Sequence, residues 1–143
     1  MATRPSPPDP RSAARAVHTV LLASVLLMAG AAWFLRTSGG IRMAEVSNPA
    51  IIRIAGLAAG LLLLGAAIFL RARLAELDTS TDPLVWWRAG FSRALLIWSL
   101  AESAALIGII LFMFTGSLFE LAVLGAGGLG LLLLSTPDRI GPA

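Results

Sequence analysis

Four apolar runs, at 16–35, 51–72, 91–114 and 118–134, leave this chain few folds to adopt. The hydrocarbon core of a bilayer is about 30 Å thick and takes about 20 helical residues to cross, the length of the first three runs. Backbone polar groups inside such a run must be satisfied within the segment, which selects the α-helix. With 57% hydrophobic and 13% charged residues, the chain lacks the polar side chains for a water-facing shell. The expected fold is all-α and integral to the membrane, with four transmembrane helices, the fourth the shortest. A disordered, Pro- and Arg-rich N-terminal tail at 1–15 precedes a single membrane domain at 16–135, and a short C-terminal tail fills 136–143.

All eleven basic residues are Arg, and their distribution sets the expected orientation. Arg4, Arg11, Arg15, Arg71, Arg73, Arg88, Arg93 and Arg139 flank one side, against Arg36, Arg42 and Arg53 on the other. The bias of Arg toward cytoplasmic loops places both termini and the 71–91 connection inside. An anionic inner leaflet answers the net charge of +3, so nucleic acid is not an expected partner. The lipid bilayer is, and the expected setting is a bacterial inner (cytoplasmic) membrane. Arg residues ahead of an apolar run that ends in Ala29-Gly30-Ala31 also fit a secretory signal. A retained first helix is the expectation carried forward.

Enzyme classes fall away on composition. Cysteine is absent, which excludes disulfides, thiolate catalysis and Cys-based metal sites. There is no Ser-His-Asp set, no metal-ligand cluster and no nucleotide loop, since the Gly-rich stretch 125–130 lies inside an apolar run with no preceding strand and no following Lys. The expectation is a protein that is no enzyme and needs neither cofactor nor metal.

Punctuation between the runs is regular. Gly39-Gly40 and Asn48-Pro49 bound the first connection, with Asn48 placed to cap a helix that starts on Pro49. The second connection breaks at 78–83, and Trp86 and Trp87 follow as expected anchors at headgroup level. Thr115-Gly116-Ser117 allows only a tight antiparallel turn, which puts Glu120 in the first turn of the fourth helix, where a carboxylate complements the helix dipole and reaches water. His18 and Arg53 sit at segment ends, one able to reach water and the other to snorkel. Small residues four apart, Gly56 and Gly60, Ala101 and Ala105, and Ala104 and Gly108, suit close helix packing.

Glu102 is different, because it lies near the middle of the third run. A charged carboxylate at the centre of a membrane helix costs roughly 2.5–3.5 kcal/mol on translocon scales, so the group is expected to be neutral or partnered. Ser99 and Ser103 share or adjoin its face and are the expected hydrogen-bonding hydroxyls, although each can instead satisfy a backbone carbonyl one turn earlier.

The third run and its approach, from Asp82-Pro83 through Ala101-Glu102, Ala105 and Gly108 to Phe112, resemble the second half of subunit c, the proteolipid of rotary ATP synthases. In that family a cytoplasmic loop ending in Pro leads into a helix with a mid-membrane carboxylate. The resemblance implies that Glu102 binds and releases the coupling ion as an oligomeric ring turns past a stator Arg. Ser103 matches the hydroxyl of sodium-type members, but no Gln lies in the preceding helix, so a proton is the implied ion. The likeness is partial. Thr81-Asp82-Pro83 replaces the family's Arg-Gln-Pro loop, the glycine repeat is reduced to Gly56, Gly60 and Gly65, and two extra helices flank the hairpin.

Two functions stand side by side. One is a proteolipid-like, oligomeric, proton-binding protein in which Glu102 exchanges a proton, Ser99 and Ser103 tune its affinity, and Gly56, Gly60, Ala101, Ala105 and Gly108 pack neighbouring helices. The other is a non-catalytic structural or accessory subunit of a larger membrane complex, in which Glu102 is a buried hydrogen-bonding lock.

Overall fold

A computed structural model describes residues 9–39, 49–75 and 82–141. Residues 1–8 of the expected 1–15 tail, residues 40–48 with the expected Asn48 cap, and most of the 78–83 break lie outside them. Helix α1 spans Pro10–Thr37, α2 Pro49–Ala75 and α3 Pro83–Thr115. Helix α4 spans Leu118–Leu134, with a π-helical stretch at Leu121–Ala126, and a single turn, α5, spans Pro137–Ile140. Three helices, α1 to α3, are long and apolar enough to cross a membrane, and α4 is a shorter apolar helix.

Helix starts repeat one chemical device. Asp9 accepts from the Arg11 N–H at 3.0 Å and Asp82 from the Leu84 N–H at 2.8 Å, each followed by Pro at the first helical position. The carboxylate satisfies a donor the helix cannot, and proline has no donor to orphan. Helix α1 therefore begins at Pro10, so 10–15 belongs to it rather than to a tail. Helix α3 ends on Gly116, whose φ of 72° is the left-handed conformation that glycine adopts without a Cβ penalty. Ser117 then accepts from the Phe119 N–H at 3.3 Å and opens α4.

Helix α3 is the hub, with α1, α2 and α4 all packed against it. Contacts at the ends fix the directions. Arg36 at the end of α1 donates to the Met113 carbonyl near the end of α3, and Arg71 near the end of α2 donates to the Leu134 carbonyl closing α4. Thus α1 and α3 run one way and α2 and α4 the other.

Small residues mark the closest approaches. A Cβ on Gly56 would meet the Leu111 side chain, and one on Gly60 the Leu124 side chain, so these two of the three glycines of α2 receive leucines. Between α3 and α4 the approach is backbone to backbone: a Cβ on Gly108 would stand 2.7 Å from the Gly125 nitrogen, and Gly128 lies against Ala101 and Ala105. Without a hydrophobic drive between helices in lipid, such contacts supply the association energy. Leu27, Phe34, Leu62, Ile68 and Phe69 face outward from α1 and α2, an apolar exterior suited to hydrocarbon.

Candidate functional site

Glu102 lies 19 residues from the start of α3 and 13 from its end, about 20 Å from the latter at 1.5 Å per residue. Its carboxyl crosses to α1 and pairs with the Ser24 hydroxyl, itself near the middle of that helix. Ser99 and Ser103, both half-buried, are not its partners. Ser103, one residue on, is displaced by about 100° around the helix, away from the direction in which Glu102 reaches α1. The effective hydroxyl comes from a different helix, at a sequence separation of 78 residues.

The proton count at this pair is informative. The Ser24 oxygen also lies 2.9 Å from the Leu21 carbonyl, which can only accept. A hydroxyl has one proton to give and two lone pairs to receive with. If that proton goes to Leu21, the bond to Glu102 must use a proton of the carboxyl. A neutral Glu102 would then complete a chain from carboxyl to hydroxyl to carbonyl, with each group used once, whereas an ionised Glu102 would accept the Ser24 proton itself. No ion pair among the described residues involves Glu102. The residue is partly exposed, at the surface where α1 meets α3.

Nearer the Thr115–Ser117 turn is a second polar centre. Arg53 of α2 donates from Nε to Glu120 Oε1 of α4 at 2.5 Å, with the Glu120 side chain fully buried and the other carboxylate oxygen unpartnered. This overturns the expectation of a water-reaching Glu120 and gives Arg53, still 44% exposed, a partner that its position at a segment end does not announce. Nearby, the backbones of α3 and α4 meet at Gly108, which faces the Glu120 carbonyl and the Gly125 nitrogen.

The opposite end carries a third. The last carbonyls of α4 run short of helical donors, Leu132 receiving only the capping Ser135 N–H at 3.1 Å, and each of the other three long helices supplies a side-chain donor: His18 Nε2 lies 3.0 Å from the Leu132 carbonyl, Arg71 donates to Leu134 at 3.1 Å, and Trp98 donates from its indole to Ser135 at 2.6 Å. His18 and Trp98 also meet edge to face, 5.2 Å between ring centres. His18 is buried rather than exposed to water. Beyond them Arg11 and Arg15 both bind Asp138, fastening α5 to α1. Those two hydrogen bonds, Arg15's first, hold the Asp138 carboxyl below its ordinary range.

Trp86 and Trp87 face inward. Both are buried, they meet edge to face at 5.1 Å, and Gly141 lies so close to both rings that a Cβ there would overlap them. Outward-facing headgroup anchors do not describe them, because the folded-back C-terminal turn covers them. Among the described residues no three metal-ligating side chains cluster.

Comparison with family models, with curated proteins and with solved structures finds no match to this chain.

Proposed function

We propose that the chain is a four-helix integral membrane protein of proteolipid-like character that binds a proton at Glu102, in the middle of the bundle, and acts as an oligomer. The carrying observation is the Glu102–Ser24–Leu21 chain, which is complete when the carboxyl is protonated. Partial exposure at the α1–α3 surface leaves the group open to a neighbouring helix, as exchange with a partner requires. The small-residue contacts of α3 are used within the chain, against α4, so neighbouring copies would meet through the apolar outer faces of α1 and α2.

Orientation follows from charge. Seven described arginines, Arg11, Arg15, Arg71, Arg73, Arg88, Arg93 and Arg139, belong to the half of the bundle that holds the start of α1 and α5, against Arg36 and Arg53 in the other. Both termini then lie on the cytoplasmic side, α4 is the fourth span, and the membrane is a bacterial inner one.

A second reading has its own support. Polar side chains of this bundle hold helices together at three levels, the Arg53–Glu120 pair, the Ser24–Glu102 pair and the clasp around the end of α4. A non-catalytic structural or accessory subunit would use Glu102 in the same way, as a lock whose proton never leaves. Carbodiimide labelling and proton flux in liposomes, on wild type and Glu102→Gln, separate the two. Selective labelling of Glu102 with loss of flux in the variant supports proton exchange. An unreactive Glu102, equal flux in both proteins and co-purification with unrelated subunits would leave the accessory role.

A further inference from the structure

At the end of the bundle that holds α5, a pocket of about 390 Å³ opens between α2 and the C-terminal turn. That volume lies within the range of small-molecule sites. Its walls divide by chemistry. Ile68, Leu74 and Ile140 form the apolar part, while Arg71 and Arg139 bring two guanidinium groups to it from separate elements. Among the described residues no carboxylate lines it. The carboxylate next in sequence, Asp138, is taken by Arg11 and Arg15 of α1.

Both cations have donors to spare. Arg71 uses Nη2 on the Leu134 carbonyl, and its Nε is buried with no partner. Arg139 is exposed and makes no ion pair among the described residues. Guanidinium groups bind phosphate oxygens through paired N–H donors, and a buried N–H without an acceptor is a site that an anion completes. Gly141 closes the pocket from the side of Trp86 and Trp87, and the ion pairs from Asp138 to α1 hold Arg139 in place.

Ile68 decides what kind of phosphate. It lies one turn before Ala72 on α2 and is 54% exposed on the outward face of that helix, so the pocket leads directly onto the apolar exterior. A free phosphate or a nucleotide would gain nothing from that wall, whereas a lipid would lay its acyl chains along it. We propose that this pocket binds the phosphate headgroup of an anionic phospholipid, held by Arg71 and Arg139, with its acyl chains against Ile68 and the outer face of α2. Two cations with no carboxylate among the described lining residues favour a net negative headgroup over a zwitterionic one. The proposal rests on the membrane placement above and is independent of any proton exchange at Glu102.

The test uses the full chain in mild detergent, titrated with short-chain phosphatidylglycerol, phosphatidylcholine and inorganic phosphate, with bound lipid read by native mass spectrometry. Wild type should retain phosphatidylglycerol over phosphatidylcholine and ignore inorganic phosphate. Arg139→Gln, which removes no side-chain hydrogen bond or ion pair among the described residues, should weaken phosphatidylglycerol binding about fivefold, and the double variant with Arg71→Gln about thirtyfold, the scale of one basic residue at a lipid surface each. Arg88→Gln, on an exposed arginine outside the pocket, should leave it unchanged. Equal binding of the two lipids, competition by inorganic phosphate, or an Arg88→Gln loss as large as that of Arg139→Gln would overturn the lipid site. Extraction of the protein from membranes by alkaline carbonate would instead overturn the membrane placement itself, and the lipid site with it.

Discussion

Arg53 and Glu120 form an unequal pair, 2.5 Å apart: the Arg53 side chain is 44% exposed while the Glu120 side chain is completely buried. Removing each partner therefore has a different consequence. Without Arg53 a buried carboxylate loses its cation, whereas without Glu120 the Arg53 side chain can extend toward water. Arg53→Gln should cost about 3 kcal/mol, the lower end for breaking a buried pair, and Glu120→Gln clearly less. A joint replacement, Arg53→Met with Glu120→Leu, should recover most of the loss. Thermal unfolding in one detergent, across the four proteins, checks the order. Equal losses from the two single variants would count against the asymmetry.

This pairing also marks where the sequence stops being legible. Apolar run length is read directly, and so is the start of α2, because Pro49 announces it, whereas α3 begins at Pro83, eight residues before the expected 91, because its first turns carry charge and lie outside the apolar run. The same logic applied to Asp9-Pro10 would have found the true start of α1, and Thr136-Pro137 the α5 turn. Helix rotation is another matter. Hydrophobic periodicity orients a helix in water, but α3 is apolar all round, so nothing in its own pattern says which way Glu102 points. Its Ser24 partner is 78 residues away, and the Arg53–Glu120 and His18–Leu132 contacts span 67 and 114 residues. Local readings sent those side chains to water because each lies near a segment end. In the bundle, the ends of neighbouring helices are present to receive them.

At mid-bundle, the direction of the hydrogen bond separates two substitutions. With the proton proposed for it, Glu102 would donate to Ser24, and the amide of Glu102→Gln can donate in the same place, so that variant should lose less than about 1 kcal/mol. Ser24→Ala removes the acceptor, leaves the acid without a partner and should cost about 1–3 kcal/mol. Unfolding of both in detergent measures the difference. A Glu102→Gln variant less stable than Ser24→Ala would mean that the carboxyl does not act as the donor.

Gly108 and Gly130 should respond oppositely to alanine. A Cβ at Gly108 meets the Gly125 nitrogen at 2.7 Å and the Glu120 carbonyl at 2.9 Å, and backbone atoms cannot turn aside, so α3 and α4 must separate. The expected cost is about 1–3 kcal/mol. At Gly130 nothing lies within 4 Å, and alanine should be neutral or stabilise the helix by up to about 1 kcal/mol. Paired melting curves decide it.

Trp98 tests the clasp on α4. Its ring is fully buried and its indole N–H is the donor to Ser135, so Trp98→Phe keeps most of the packing and deletes the bond. A buried carbonyl left without that partner should cost about 1–3 kcal/mol. Trp33, half exposed and stacked on Phe112 through its ring face, should tolerate phenylalanine within about 0.5 kcal/mol. Hydrogen exchange at 131–135 should rise in Trp98→Phe only.

The docking of α5 should depend on acid. The hydrogen bonds from Arg15 and Arg11 hold the Asp138 carboxyl below its ordinary value of 3.8, so the folded protein binds the proton less readily than the undocked chain. For a carboxyl lowered in this way, the stabilisation is fully present above the ordinary value and disappears as the pH falls through the lower, folded one. Amide protection at Arg139, Ile140 and Gly141, whose N–H groups close the α5 turn, should thus be level from neutral pH down to about 5 and fall only in stronger acid. Asp138→Asn should show the reduced protection at every pH, because an amide cannot bind both guanidinium groups as a charge. If wild type lost protection between pH 7 and 5 instead, a different titrating group would control the turn.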